Sequence, residues 1–286
     1  MLPFLSKMKI VKNESFDLER ALYALDDALV LECTFAGPAD GESVLKEAKN
    51  IKVDNCLFSL RYPLWHNHNF ELLNSKMDEL CRAPMWYCKD GIISKCNIKG
   101  VKAVRECEKI EIKDSIIEST EFGWKSSEIK LIDSAITSEY LFFDSKNVTL
   151  KNVEMKGKYS FQYIDGLVID DSNLDTKDAF WHSKNVTVRN SIIKGEYLAW
   201  FSENLTLINC KIIGTQPFCY CKKLKLINCE MINCDLAFEY SEVEADIIGK
   251  VDSIKNPLDG IIKVDEVGEI IHDNPVYPCK GKVVIK

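Results

Sequence analysis

From Ile110 onward, short bursts of alternating apolar and polar residues recur along the chain at a fixed interval. IEIKDSII (from Ile110), IKLIDSAI (Ile129), VTLKNVEM (Val148), LVIDDSNL (Leu167), VTVRNSII (Val186), LTLINCKI (Leu205) and LKLINCEM (Leu224) start 19 residues apart. Weaker copies start at Ala28, Ile51, Phe70, Gly91 and Val243. Positions 1 and 3 of each copy are mostly β-branched or leucine and positions 2 and 4 mostly polar, with Asn or Asp at 5 and Cys or Ser at 6. That is a period-2 strand ending in a bend.

Coils of about 20 residues built from short strands describe a parallel β-helix. A helical solenoid needs longer repeats with 3.6-residue periodicity, and leucine-rich repeats need a Leu spacing that is missing here. The repeat predicts an all-β, single-stranded right-handed parallel β-helix of about twelve coils forming one domain with capped ends. Residues 1–27 are read as an N-terminal segment with a capping helix, 28–242 as the coils, and 243–286 as C-terminal coils and cap. The helix rests on Ser15 as N-cap ahead of the apolar pattern of SFDLERALYAL.

If the last stretch of each coil is also an extended strand, successive side chains there point to opposite faces. All five tryptophans, Trp65, Trp86, Trp124, Trp181 and Trp200, fall at position 15, Trp86 when its longer coil is counted back from its end. Position 13 carries no charge. Positions 12 and 16 do carry charges, which are rarely buried unpaired. The alternation therefore predicts 13 and 15 inward and 12, 14 and 16 outward. In DAFWHS (178–183), Trp181 would be core, with Asp178, Phe180 and His182 displayed.

That assignment displays Tyr140, Phe142, Phe161, Tyr163, Phe180, Tyr197 and Phe201 on one face, together with Asp178, Glu121, Arg82 and His66. An exposed apolar stretch of that size marks a binding surface. Rings interleaved with carboxylates suit an oligosaccharide or another small polar ligand. Glu106, Lys125 and Asp144 share position 16 on consecutive coils, so Glu106 and Asp144 are read as an acid/base pair for glycoside hydrolysis, with Lys125 and His182 assisting. A β-elimination lyase would instead use Arg82, Arg105 or Lys125 as base. The alternative is a non-catalytic assembly module whose aromatic face joins copies into a homo-oligomer.

Composition narrows the partners. The formal net charge is −7 with scattered Lys and Arg, which gives nucleic acid no basic field. MLPFLSKMKIVKN lacks the apolar core of a signal peptide, and no run approaches a membrane span, so a soluble cytoplasmic protein is expected. The twelve cysteines then read as free thiols. Cys33, Cys56, Cys96, Cys210 and Cys229 share position 6 with several serines, a column of small side chains instead of a metal site. No cofactor is expected.

The segments GPADGES (37–43), RYPLWH (61–66), CRAPMWY (81–87), VKAVREC (101–107), EFGW (121–124), GKYSFQY (157–163), LDTKDAFWHS (174–183) and KGEYLAWFS (194–202) resemble an uncharacterised bacterial family, a domain of unknown function with a pectin-lyase-like right-handed β-helix. The resemblance runs from about residue 15 to the C-terminus. It implies the fold and assigns no activity.

Overall fold

Each 19-residue step of the repeat becomes one step of strand pairing. In the computed structural model, which describes residues 8–286, Ile110 pairs with Ile129 and Val186 with Leu205, and the ladders between turns are parallel. The first seven residues, on which the signal-peptide reading partly rests, lie outside the described part. The chain forms a parallel β-solenoid of about fifteen turns, with no helix among the described residues. It divides into two compact units, one ending at Thr137 and one spanning Ser138–Lys286.

Within a turn, a six-residue strand such as Lys184–Arg189 buries positions 1 and 3, and a short strand such as Ile192–Lys194 follows. The Asn at the bend takes the left-handed backbone region that its short polar side chain tolerates, with φ of 50° at Asn190 and 52° at Asn209. Its amide then bonds the next turn: Asn209 Nδ2 donates to Asn190 Oδ1 at 3.2 Å and Asn228 Nδ2 to Asn209 Oδ1 at 2.8 Å. Position 6 relays hydrogen bonds where the ladder breaks. Ser191 Oγ accepts from Ser172 N at 3.0 Å and donates to Arg189 O at 2.7 Å. This explains why the column holds Ser and Cys, small side chains with a donor and an acceptor. Burial pushes the thiols of Cys81, Cys221 and Cys234 up to about 12, so they stay protonated and inert.

The fold departs from the sequence reading at two places. The expected capping helix is absent: Ser15–Phe16 is a strand paired with Thr34–Phe35, and Arg20, Leu22 and Ala24 have φ of 53°, 56° and 52°. Lys9–Lys12 pairs with Ala28–Leu31, so this segment is a further turn of the solenoid, its helical propensity overridden by stacking on the next turn. Beyond Val243, where further coils are expected, Val243 pairs with Gly260 and Ile261 with Lys282. Gly260 is required there, because a Cβ would lie 2.0 Å from Val243 O.

The second departure governs the site. The last stretch of each turn is not an extended strand. Its residues 12, 14 and 16 are left-handed, with φ of 52°, 62° and 55° at Asp178, Phe180 and His182. This alternation sends alternate N–H groups to opposite neighbours: Phe180 N donates back to Ser160 O at 2.8 Å, whereas Asp178 N and His182 N donate forward to Glu196 O and Trp200 O at 2.9 and 3.0 Å. Side chains consequently do not alternate. Positions 13 and 14 are both buried, 15 is half-buried, and 16 points out.

Candidate ligand-binding face

In the second unit, position 16 builds a ring ladder. Tyr163 stacks on His182 at 4.9 Å and 9°, His182 on Phe201 at 5.1 Å and 9°, and Phe201 on Tyr220 at 4.8 Å and 12°. The faces of the inner rings are covered by one another, so edges and polar tips meet solvent. Behind the ladder, Trp181 and Trp200 stack at 5.4 Å. Their indole N–H groups donate to the next turn, at Tyr197 O (2.7 Å) and Gln216 O (2.9 Å). Gln162, which stands where other turns have Trp, makes the same bond with its amide, to Asp178 O at 3.1 Å.

Position 12 runs beside it. Tyr140 and Tyr159 stack at 4.8 Å, and the column resumes with Tyr197, packed edge-on against Trp200 at 5.6 Å. Between Tyr159 and Tyr197 the place of a ring is taken by Asp178. The residue is only 7% exposed; no described residue donates a hydrogen bond to its carboxylate, whose oxygens are recessed but not sealed from solvent. Burial raises its pKa, Lys177 pulls it down, and Glu196 pushes it up. Lys177 sits over the Tyr197 ring at 5.4 Å and pairs with Glu196 at 2.9 Å, so its charge is shared elsewhere.

In the first unit, His66 stacks on Tyr87 at 4.8 Å, and Trp65 lies parallel to Trp86 at 5.1 Å. Glu121 pairs with Lys102 at 3.4 Å, Glu106 lies 3.8 Å from Arg105 Nε, and Arg82 and Lys125 are exposed. Asp144 and His182 belong to the second unit and are exposed.

The platform expected from the sequence must be redrawn. Phe142, Phe161 and Phe180 are 0%, 0% and 3% exposed and stack along the core at 6.4 and 5.0 Å. They face inward because the left-handed residues break the two-residue alternation. Asp178 is likewise recessed where display was expected. Trp181 is half-buried and acts as a lid bonded to the next turn. Tyr140, Tyr163 and Phe201 are exposed, at 38%, 50% and 45%. Tyr197 is half-buried. The sequence reading passed over Lys177 and Glu196, and over the isolation of Asp178. The available signal was an Asp interrupting the run of tyrosines at Tyr140, Tyr159 and Tyr197. A surface groove of about 400 Å³ lined by Lys223, Lys225, Glu242, Glu244 and Asp259 contains none of the expected site residues. No group of three or more His, Cys, Asp or Glu side chains among the described residues is arranged to hold a metal.

Solved structures similar to this chain include the A-module of mannuronan C-5 epimerase AlgE6 from Azotobacter vinelandii, at TM-score 0.35 and 7% identity over 83% of this chain and 88% of that one. They also include PfbA, a surface adhesin of Streptococcus pneumoniae, at 0.33 and 11% over 83% and 71%. A third is the catalytic domain of a GH87 alpha-1,3-glucanase, at 0.27 and 8% over 96% and 63%. No curated protein matches the chain. At the level of sequence the match is to a family model covering residues 9–284, and the chain belongs to that family, described as Protein of unknown function (DUF3737).

Proposed function

We propose that the protein binds a carbohydrate, or a similar polyhydroxylated ligand, on the outward face of its second unit, anchored at Asp178. The observation that carries this reading is the recessed carboxyl without a protein donor. The carboxylate is recessed yet not sealed from solvent, so a ligand hydroxyl can take the place of water there and donate the hydrogen bond that no described residue supplies. The flanking Tyr159 and Tyr197 supply ring surface, and Tyr140, Tyr163, His182 and Phe201 extend the contact along the face.

Thermal stabilisation by a panel of neutral oligosaccharides tests it. A ligand at a hundred times its dissociation constant adds about 2.7 kcal/mol of stability. The wild type should shift, and Asp178→Asn should not. The variant itself should be at least as stable as wild type at pH 7. A carboxyl whose folded-state pKa is raised stabilises the fold when protonated, below its unfolded value of about 3.9, and loses that contribution as pH rises through the folded value. Silence across the panel, with an oligomer seen by light scattering, would assign the ring ladder to a protein interface instead.

Glycoside hydrolysis or elimination is the finer reading, with Glu106 and Lys125 of the first unit and Asp144 and His182 of the second as candidate groups, each taken within its own unit. Its support is that all four are exposed. Unchanged turnover of a bound oligosaccharide in both Glu106→Gln and Asp144→Asn would rule it out.

A further inference from the structure

Arg105, in the first unit, occupies the position at which most turns carry a tryptophan or other large side chain. Its guanidinium carbon lies 5.0 Å from the centre of the Trp86 ring and 5.2 Å from that of Trp124, between two indoles. The column below it is equally ordered, with Trp65 parallel to Trp86 at 4° and Lys46 Nζ 5.7 Å from the Trp65 ring. In this column Trp65 and Trp86 each spend their N–H on a carbonyl of the next turn, Ala83 O and Lys102 O, both at 2.7 Å. Arg105 makes no such bond. Its side chain donates no hydrogen bond to any described residue, and Nε is buried without an acceptor.

A guanidinium carries five N–H donors in a planar fork that matches a carboxylate edge to edge. Clamping it between ring faces removes the rotamer freedom that binding would otherwise cost. Glu106 Oε1 forms an ion pair with Nε at 3.8 Å, too far for a hydrogen bond, with 40% of its side chain exposed, so the guanidinium's donors remain unused. The Arg105 side chain itself keeps 22% exposure. Lys125, one turn further on, is an exposed cation with no ion pair among the described residues. Lys102 is already committed to Glu121.

We propose that Arg105 is the anchor of a second binding site, one that takes a carboxylate-bearing small ligand in a two-pronged contact with the guanidinium. Lys125 supplies supporting positive charge. The site is independent of the glycan reading for the second unit. It differs from a purely structural cation between rings in requiring the fork geometry.

Isothermal titration of the full chain with D-glucuronate, with D-glucose as its neutral counterpart and with inorganic phosphate, tests the proposal. Wild type should bind glucuronate and neither of the other two. Arg105→Lys should weaken binding at least tenfold, because a point charge replaces the fork. Arg105→Gln and Arg105→Trp should abolish it while keeping the fold, since Gln162 and the neighbouring tryptophans show that both side chains suit this position. Unfolding curves for Arg105→Trp at or above wild-type stability would establish that the stack is intact. Asp178→Asn should leave glucuronate binding unchanged, which separates this site from that of the second unit. Failure of wild type to bind glucuronate, equal binding of phosphate, or binding that survives Arg105→Trp would each overturn it.

Discussion

Replacing Phe180 with alanine should lower the unfolding free energy by about 3–5 kcal/mol, the cost of emptying a packed aromatic site. The ring is 3% exposed and lies 5.0 Å from Phe161 in the core stack. The next residue in that stack is Ala199, which leaves a void of about 10 Å³ beside Phe180 and Phe218. Truncation would join the new hole to that void, which favours the upper half of the range. Phe201→Ala is the control. Its ring is 45% exposed and edge-out, so it should cost no more than about 1.5 kcal/mol, the scale of a stacked pair. Urea unfolding of the two variants checks the contrast. Equal midpoints would mean that position 14 faces solvent after all.

The contrast also shows where the sequence was legible. The strand register could be read residue by residue, because positions 1 and 3 of the strands are inward in the turns from Ala28 to Val243 and each turn repeats its neighbour. Ile110, Ile129 and Val148 needed only period-2 logic. The stretch DAFWHS did not obey it. Two consecutive residues, Ala179 and Phe180, are buried there, which no extended strand allows. The left-handed geometry responsible costs roughly 1–2 kcal/mol per residue for side chains such as Phe180 and His182. It persists because each N–H is held by a different turn, a tertiary cause invisible in local propensity. The N-terminal segment failed for the same reason, since Arg20, Leu22 and Ala24 adopt this turn where SFDLERALYAL reads as helix. For the site, the sequence supplied the exposed rings and the acidic residues. It did not show which carboxylate lacks a partner, because that depends on Lys177 turning to Glu196.

Trp181→Ala should cost about 2–3 kcal/mol, and Trp181→Gln about 1 kcal/mol less than that, the worth of one retained hydrogen bond. Two contributions are at stake in the indole. One is stacking on Trp200 at 5.4 Å, which either variant loses. The other is the 2.7 Å bond from the indole N–H to Tyr197 O. An amide can replace that bond, as Gln162 does one turn earlier by donating to Asp178 O. Trp181, Trp200 and Gln162 in this column thus add to bulk a donor that reaches the carbonyl of position 12 in the next turn. For Trp181 that carbonyl belongs to Tyr197, so the lid also fixes the backbone that carries one wall of the Asp178 recess. Trp181→Gln should therefore keep more of any oligosaccharide-induced stabilisation than Trp181→Ala. If the two variants unfold at the same denaturant concentration, the column is held by packing alone, and the bond to Tyr197 contributes nothing to shaping the recess.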